Sequence, residues 1–257
     1  MERLLSRTPD EERDRLAALV RAASSVVALT GAGISVPSGI PDFRSPETGI
    51  WQSVDPMTVA QIDVWRSDPA RFWGFYAQRF ALLEERVPNA AHRALAELER
   101  RGLLDAVVTQ NIDRLHRHAG TRELVEVHGS IESSVCLSCS ASFALAVVRE
   151  RIAADEQGVP RCDCGAALKP GVVLFGELLP EPAIDRAFDL ARGADLLLCI
   201  GTSLEVYPVA QLPGITAASG GRVAIVSQGP TSFDEYASAR LGGDVVDELE
   251  GLLAALG

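Results

Sequence analysis

The residues best suited to chemistry in this sequence are four cysteines that stand in two close pairs. Cys136 and Cys139 form the motif CLSC, Cys162 and Cys164 form CDC, and 22 residues separate the pairs. Two sulfur pairs on two short turns are the ligand arrangement of a tetrahedral zinc ribbon. Four thiolates leave no coordination position for water, so we expect one structural zinc ion. The alternative, four unrelated buried cysteines, is disfavoured by the close pairing.

Histidine is the side chain whose ordinary pKa suits a general base near neutral pH. Of the four histidines, His128 lies in the motif VEVHGS, between a short alternating run and the cysteine segment. We therefore expect His128 at the seam of two domains, where a cleft can hold a substrate. His92 begins an amphipathic helix and is interpreted as a packing or capping residue.

A third pattern follows the apolar run Val26–Leu29, in the stretch VVALTGAGISVPSGIPDFRS. Gly31 and Gly33 would let the backbone approach a diphosphate with its amide N–H groups. The dehydrogenase pattern G-x-G-x-x-G is incomplete, because Val36 occupies the third glycine position, and a plain tight turn is the alternative. The GIPDFRS that follows predicts a loop that folds over a ligand, with an aromatic cover and an arginine for phosphate.

Polar side chains also follow a second buried strand, in TQNIDRLH at Thr109–His116. Ligands of open α/β sheets bind at the carboxyl ends of the strands. Gln110, Asn111 and Asp113 carry amide and carboxylate groups that suit ribose hydroxyls and a carboxamide. A polar turn that caps its own backbone is the alternative.

The elements that must position these motifs alternate between strands and helices. Buried parallel strands read as short apolar runs, and the candidates are Val26–Leu29, Leu104–Thr109, Asp195–Ile200 and Arg222–Val226. Helical stretches separate them, and the first carries a capping signal at Thr8, Pro9 and Glu11. The alternation predicts an α/β fold with a Rossmann-like parallel sheet and helices on both faces.

Two segments interrupt this alternation and are interpreted as insertions. Residues 44–86 contain the helical stretch SDPARFWGFYAQRFALLEER, and residues 132–169 hold the paired cysteines. We expect the helical insertion and the zinc-binding module to form one smaller domain. Residues 1–43, 87–131 and 170–257 would then form the Rossmann-like domain.

The composition limits the class of protein. Apolar residues make up 47% of the 257 residues and charged residues 23%, the balance of a globular protein with a sizeable core. A formal net charge of −11 disfavours direct nucleic-acid binding. No signal peptide and no run of roughly 18 apolar residues is recognised, so we expect a cytoplasmic protein that does not span a membrane.

Together these motifs resemble those of the sirtuins, the family of NAD-dependent protein lysine deacylases. The order and spacing of that family are matched, over roughly Val26 to Val226, by GAGIS, SGIPDFRS, TQNIDRLHRHAG, HGS, the paired cysteines, KPGVVLFGELLP and GTSLEVYPVA. The resemblance explains why the turn after the first strand does not lead into a long helix. In sirtuins this turn leads into a mobile cofactor-binding loop and a helical insertion, because NAD is consumed and does not transfer hydride.

The resemblance implies a role for each motif. The co-substrate NAD would contact Gly31, Ala32, Gly33, Ile34, Asp42, Phe43, Arg44, Gln110, Asn111, Ile112, Asp113, Gly201, Thr202, Ser203, Ser227, Gln228 and Val245. The catalytic set would be His128 as general base, with Asn111 and Asp113 in the nicotinamide pocket. An acyl-lysine protein or peptide would add as an extended strand between two strands, Val172–Glu177 and Ser203–Val206. The substrate residues would be Tyr76, Arg79, Val173, Phe175, Gly176, Glu205 and Val206.

The implied reaction removes the acyl group from a protein lysine. The acyl oxygen attacks C1′ of the nicotinamide ribose, nicotinamide leaves, and His128 activates a ribose hydroxyl that attacks the resulting imidate. Free lysine and O-acyl-ADP-ribose follow. One class of sirtuins carries Tyr-x-x-Arg at the bottom of the acyl pocket, matched here by Tyr76 and Arg79 in FWGFYAQRFALL. The match predicts removal of succinyl-type as well as acetyl groups, and an ordinary apolar helix face is the alternative.

The chain departs from the family at one position, and three other functions stay open. Sirtuins usually carry asparagine where this sequence has Ser227, a shorter side chain that can still bond a ribose hydroxyl. The alternatives are an NAD-binding oxidoreductase, an NAD hydrolase or ADP-ribosyltransferase, and a non-enzymatic ADP-ribose-binding protein. The incomplete glycine pattern disfavours the first, the runs VVLFGE and GTSLEV disfavour the second, and a histidine base disfavours the third.

Overall fold

The computed structural model describes residues 8–42, 49 and 54–257. Its strands are β1 Val26–Thr30, β2 Ala106–Thr109, β3 Leu124–Glu126, β4 Gly129–Val135, β5 Ser142–Ala144, β6 Lys169–Val172, β7 Leu196–Ile200, β8 Arg222–Val226 and β9 Ala239–Leu241. Its α-helices are α1 Pro9–Ala22, α2 Pro56–Val59, α3 Ile62–Ser67, α4 Pro69–Glu84, α5 Ala90–Arg100, α6 Leu115–Ala119, α7 Leu145–Ala154, α8 Glu181–Gly193, α9 Leu212–Ala218 and α10 Val245–Leu256. A 3-10 helix spans Ala32–Ser38 directly after β1.

The central sheet has, among the described residues, six strands in the order β3-β2-β1-β7-β8-β9. Every neighbouring pair of these strands is parallel. The order runs outward from β1 in two directions, as in dinucleotide-binding folds, and it opens a crevice at the carboxyl ends of β1 and β7. The Rossmann-like fold class predicted from the sequence is confirmed.

Alternate residues of the central strands pack on opposite faces of the sheet. Along β1, Ala28 belongs to one apolar core, whereas Val27 and Leu29 belong to the other. Helices α1, α5 and α10 cover the first face, and α8 and α9 cover the second. All residues of β1 are buried, which is why such a strand reads as one continuous apolar run.

The four predicted strands correspond to β1, β2, β7 and β8, with the same bounds for β8 and one end shifted by one or two residues in each of the others. The predicted cap of α1 is confirmed, because Thr8 Oγ1 accepts from the Glu11 N–H at 3.3 Å and Glu11 accepts from the Thr8 N–H at 2.7 Å. The sequence does not predict β3 and β9. Each has only three residues and lies at an edge of the sheet, so neither presents a long apolar run.

A smaller domain contains the antiparallel sheet of β4, β5 and β6 together with α2, α3, α4 and α7. Its core joins Phe72 of α4 to Leu145 of α7 and to Leu168. The indole N–H groups of Trp65 and Trp73 both donate to the Leu168 carbonyl, at 3.0 and 2.9 Å. The helical insertion and the cysteine module therefore share one core. None of the helices in the described part of the chain has the length and apolar character needed to cross a bilayer.

Two tight turns present the paired cysteines. The Cys136 N–H donates to the Ala141 carbonyl and the Cys162 N–H to the Ala166 carbonyl, each at 2.8 Å. The first turn passes through the left-handed region at Ser140, with φ of 62°. Each turn thus closes on its own backbone, and its side chains are free to point their sulfur atoms toward a common centre.

The four sulfur atoms form a site that fits zinc. The Sγ atoms all lie within 4.8 Å of one another, and those of Cys136–Cys164 and Cys139–Cys162 are 3.5 Å apart. A tetrahedral site with Zn–S bonds of about 2.3 Å separates its sulfurs by roughly 3.8 Å. Within the described residues, these cysteines are the cluster that could hold a metal ion. Four sulfur ligands suit one structural zinc.

We expect zinc removal to act through the stability of the smaller domain. Chelation should lower the unfolding temperature by about 10 °C or more, since ligand binding and folding of such modules are coupled. Differential scanning calorimetry with metal analysis measures this, and Cys139→Ser should lose zinc whereas Cys199→Ala, a buried cysteine outside the cluster, should keep it. Full zinc content in Cys139→Ser, or an unchanged unfolding temperature after chelation, would contradict a structural role.

Candidate active site

The first part of the site is a close contact between the turns that follow β1 and β7. A Cβ atom on Gly33 would lie 2.8 Å from the Gly201 Cα, and one on Gly31 would lie 2.8 Å from the Gly201 carbonyl oxygen. Any side chain at these positions would displace one turn from the other. Gly201 itself has φ of 59°, a conformation that glycine adopts without strain.

The structure corrects the sequence-based reason for these glycines. The amide N–H groups of Gly31 and Gly33 donate to the carbonyls of Ile200 and Gly201, at 3.0 and 2.9 Å, so they bind protein and not a ligand. The glycines are needed for the approach of the two turns. The structure also places Ile34 in the apolar core, fully buried, and not on a cavity wall.

The second part of the site is a buried hydrogen-bond network at the carboxyl end of β2. Asn111 Nδ2 donates to the Gly31 carbonyl and to Ser35 Oγ, both at 3.1 Å. Ser35 Oγ donates to Asp113 Oδ2 at 2.7 Å, and Asp113 Oδ1 accepts from the Leu115 N–H at 2.9 Å. Burial raises the pKa of the Asp113 carboxyl. The network fixes both side chains relative to β1.

Sequence reasoning missed Ser35, and two buried histidines lie behind it. His92 Nε2 lies 3.4 Å from Ser35 Oγ, and His116 Nε2 lies 2.9 Å from Thr30 Oγ1. The two imidazole rings are 4.8 Å apart. Burial lowers the pKa of His92 to about 2 and that of His116 to about 4, so both rings are neutral near pH 7. The serine in GAGIS, four residues after the first glycine, was the available signal.

His128 lies where the two domains meet. Its Nδ1 is 3.0 Å from the Gln110 carbonyl oxygen, and its own carbonyl accepts from the Val173 N–H at 2.9 Å. Burial lowers the pKa of this imidazole, against a smaller opposing effect of the hydrogen bond to Gln110. The Gln110 side chain in turn donates to Thr202 Oγ1 at 2.9 Å, which links β2 to the turn after β7.

A cavity of about 620 Å³ lies at the carboxyl ends of the central strands. Its walls bring together many residues that the sequence assigned to the cofactor: Gly31, Ala32, Gly33, Asp42, Gln110, Asn111, Gly201, Thr202, Ser203, Ser227, Gln228 and Val245. Its volume falls in the range of small-molecule sites. Its position at the carboxyl ends of parallel strands, with the small residues Gly31, Ala32, Gly33 and Gly201 on its wall, fits a dinucleotide.

A second cavity, of about 330 Å³, is also lined by His128. Its walls include Tyr76, Arg79, Ile112, Asp113, Val173, Phe175 and Gly176, and both cavities share Ala32, Gln110, Asn111, His128 and Val206. Burial raises the pKa of Tyr76 to about 12 and lowers that of Arg79, the latter opposed by Tyr76 and Asp113. The structure thus separates the predicted cofactor residues Ile112 and Asp113 from the larger cavity.

The remaining predicted positions fall in three groups. Phe43 and Arg44 lie outside the described residues. Glu205 and Val206 line the larger cavity. The segments around Val173 and Glu205 were expected to be strands, but β6 ends at Val172, and Ser203–Val206 is irregular with Leu204 at φ of 57°.

A family model and individual relatives from known sequences match this chain over most of its length. The Sir2 family model matches residues 31–208. An NAD-dependent protein deacetylase of Sulfolobus acidocaldarius is 45% identical over 227 residues, which cover 88% of each chain. An NAD-dependent protein deacetylase of Thermotoga maritima is 43% identical over 222 residues, which cover 86% of this chain and 89% of the relative.

Comparison with solved structures agrees. A structure described as Sir2 with a p53 peptide and NAD+ aligns with a TM-score of 0.86 at 40% identity, covering 93% of this chain and 96% of that one. A Sir2 bound to an acetylated peptide has the same TM-score at 38% identity, covering 94% and 98%. With its fold, its cysteine cluster and a family match over more than half of its length, the chain belongs to the Sir2 family, the sirtuins.

Proposed function

We propose that this sirtuin removes acyl groups from lysine side chains of proteins, with consumption of NAD. The relatives from S. acidocaldarius and T. maritima are named NAD-dependent protein deacetylases. The observation that carries the proposal is the position of His128, which lines both cavities. A base at that junction can serve a cofactor in the larger cavity and an acyl-lysine in the smaller one.

The larger cavity is proposed to hold NAD, which supplies an electrophilic ribose carbon from which nicotinamide can leave. The turns after β1 and β7, with Ala32 and Thr202, would hold the diphosphate. Ser227 at the end of β8 would face the adenosine ribose, with Val245 at the start of α10 beside the adenine. Asp42, Phe43 and Arg44 belong to the loop expected to cover the cofactor.

Asn111 and Asp113 are proposed to hold the nicotinamide carboxamide, where the nicotinamide end of NAD would pass from the larger cavity into the smaller one that Asp113 lines. Ser35 anchors both side chains before any ligand binds, at 3.1 Å from Asn111 Nδ2 and 2.7 Å from Asp113 Oδ2. A preorganised pair of polar groups can favour one orientation of a bound amide without being reorganised during the reaction. Asn111 lines both cavities, so it lies at the same junction as His128.

The hydrogen bond of His128 defines its proposed role as general base. The Gln110 carbonyl can only accept, so the proton of the neutral ring lies on Nδ1, which donates to it at 3.0 Å. Nε2 then carries the free lone pair that can take a proton from a ribose hydroxyl. Burial lowers the pKa of the imidazole, which keeps the ring neutral, and Nε2 free to accept a proton, at neutral pH.

We expect His128→Ala to lower kcat/KM for deacylation by about 10²–10⁴-fold, the usual contribution of a general base. The exposed His118 provides the matched control, and His118→Ala should retain wild-type turnover. In the wild type, the lowered pKa should place the acid limb of the pH–rate profile below pH 6.5, the ordinary value for histidine. Near-normal turnover of His128→Ala, or an acid limb above pH 6.5, would rule out this role.

The substrate is proposed to bind as an extended strand between the segments that contain Val173–Gly176 and Glu205–Val206. Both segments border a cavity lined by His128. Phe175 and Tyr207 are 42% and 69% exposed, so apolar side chains at this border are available to a peptide. A peptide that pairs with both backbones would point its acyl-lysine into the smaller cavity.

The walls of the smaller cavity support removal of acidic acyl groups. Tyr76 and Arg79 lie one turn apart on α4 and both line this cavity. The raised pKa of Tyr76 keeps its hydroxyl protonated, and a guanidinium keeps its charge even when burial lowers its pKa. A phenol and a guanidinium together can donate to a succinyl carboxylate, which an acetyl group lacks. We therefore propose succinyl-type as well as acetyl groups as substrates.

Arg79→Met should lower kcat/KM for a succinylated peptide by about tenfold or more relative to an acetylated one, since a charged hydrogen bond contributes about 1.5–3 kcal/mol. Both rates are measured on peptides of one sequence. Arg71→Met on the exposed face of α4 is the matched control and should change neither rate. Equal losses on both peptides would make Arg79 a structural residue, and a wild type without succinyl activity would overturn the proposed selectivity.

A further inference from the structure

The chain has one lysine, Lys169, among 24 basic residues of which the other 23 are arginines. Lys169 begins β6, directly before the segment proposed to bind the acyl-lysine peptide. Its side chain is only 8% exposed. A buried ammonium is costly unless its hydrogens are all bonded, so its surroundings decide what it does.

Three acceptors surround the ammonium of Lys169. Nζ donates to the Pro170 carbonyl at 3.1 Å and to the Val172 carbonyl at 2.8 Å. It also forms an ion pair with Glu177 Oε2 at 2.9 Å. An ammonium has three N–H groups, and these acceptors match them in number.

Glu177 connects this ion pair to the wall of the smaller cavity. The Oε2 atom that meets Lys169 also accepts from the Leu174 N–H at 2.9 Å, and the Glu177 N–H donates to the Leu174 carbonyl at 3.0 Å. The chain from Leu174 to Glu177 is therefore a closed turn, with Gly176 at φ of 88°. Lys169 neutralises the carboxylate that closes it.

The same turn is attached to both domains on either side. The Val173 N–H donates to the His128 carbonyl at 2.9 Å, and the Phe175 N–H donates to the Ala60 carbonyl at 2.9 Å. Val173, Phe175 and the turn glycine line the smaller cavity with His128. A shift of this turn would move the cavity wall relative to the proposed base.

We propose that Lys169 is a positioning residue for the acyl-lysine substrate, acting through Glu177. The ion pair holds the turn from Leu174 to Glu177 in the shape that places Val173 and Phe175 on the cavity wall. Lys169 does not touch the substrate, and its effect is on how well the peptide binds. This inference rests on the proposed deacylation for its kinetic readout, but the shape of the turn can be measured without turnover.

The kinetic experiment compares Lys169→Met with Lys169→Arg, which keeps a cation and N–H donors at the same place. Lys169→Met should raise the KM for an acetylated peptide by about tenfold or more, with the KM for NAD within twofold of the wild type. Lys169→Arg should restore the peptide KM to within about threefold. Arg192→Met, which breaks an exposed ion pair with Asp189, is the matched control and should change neither constant.

The structural experiment is hydrogen exchange of the ligand-free proteins. Amides 173–177 should exchange about tenfold faster in Lys169→Met than in the wild type or in Lys169→Arg. Unchanged exchange together with an unchanged peptide KM would overturn the proposal, as would equal rises of the KM for peptide and for NAD. If Lys169→Met does not fold, Glu177→Gln replaces it, because glutamine keeps an acceptor for the Leu174 N–H without the charge. Glu177→Gln should also raise the peptide KM and speed exchange of amides 173–177, by smaller factors than Lys169→Met.

The two readouts separate this inference from the proposed function. If the wild type deacylates no peptide, the proposed function is overturned. Faster amide exchange in Lys169→Met would still indicate that the ion pair stabilises the turn. If the wild type is active, and Lys169→Met has the same peptide KM and the same amide exchange as the wild type, the positioning role alone is overturned.

Lys169 is the single lysine of the sequence, and its burial carries a second inference. Acylation of a lysine needs the lone pair of a neutral Nζ, which forms the amide bond as the leaving group departs from the acyl carbon and a proton leaves the nitrogen. In Lys169 the three N–H groups are bonded and the side chain is buried. We infer that the folded enzyme resists acylation of Lys169 by amine-reactive acyl donors.

Treatment with N-hydroxysuccinimidyl acetate, an amine-selective acyl donor, tests this resistance. Peptide mapping by mass spectrometry should find Lys169 unmodified in the folded protein and acetylated in concentrated urea. The α-amino group of the chain serves as an internal standard of reactivity. Acetylation of Lys169 in the folded protein at the rate of a lysine in a free peptide would overturn the inference.

Discussion

The contact between Gly33 and Gly201 is the constraint on which the rest of the site depends. A Cβ on Gly33 would lie 2.8 Å from the Gly201 Cα, so the turns after β1 and β7 can contact each other this closely only if both positions are glycine. In this arrangement the Gly31 carbonyl accepts a hydrogen bond from Asn111, and the two turns form one wall of the larger cavity. The parallel register of β1 with β2 and β7 then carries each strand to the same edge of the sheet, where their polar ends converge.

Burial of titratable groups gives this edge its chemical character. Near pH 7 the lowered pKa values of His92 and His116 make both rings neutral supports, which fill space behind Ser35 and Thr30 without adding charge. The same burial raises the pKa of the Asp113 carboxyl and lowers that of His128, while a single hydrogen bond to Gln110 selects the His128 tautomer. Because the His128 carbonyl also accepts from the Val173 N–H, the backbone of the proposed base is joined directly to the substrate wall.

The sequence predicts this structure best where a residue type has one physical use. Fully buried parallel strands such as β7 appear as apolar runs, and paired cysteines in short turns indicate zinc. Ser35 could not be recognised in the same way, because its partner Asp113 lies 78 positions away and a serine after a glycine turn has many uses. The segment Ser203–Val206 was expected to be extended but is irregular, because Leu204 has a positive φ that nothing in the sequence indicates. Ile34 follows a glycine pattern but packs inward.

The product stoichiometry of a single reaction tests the proposed chemistry most directly. The protein is incubated with NAD and one peptide carrying an acetylated or succinylated lysine, and the products are quantified by liquid chromatography and mass spectrometry. NAD-dependent deacylation predicts equal amounts of nicotinamide, O-acyl-ADP-ribose and free-lysine peptide. Release of nicotinamide and plain ADP-ribose while the peptide keeps its acyl group would contradict it, and so would the absorbance of reduced cofactor.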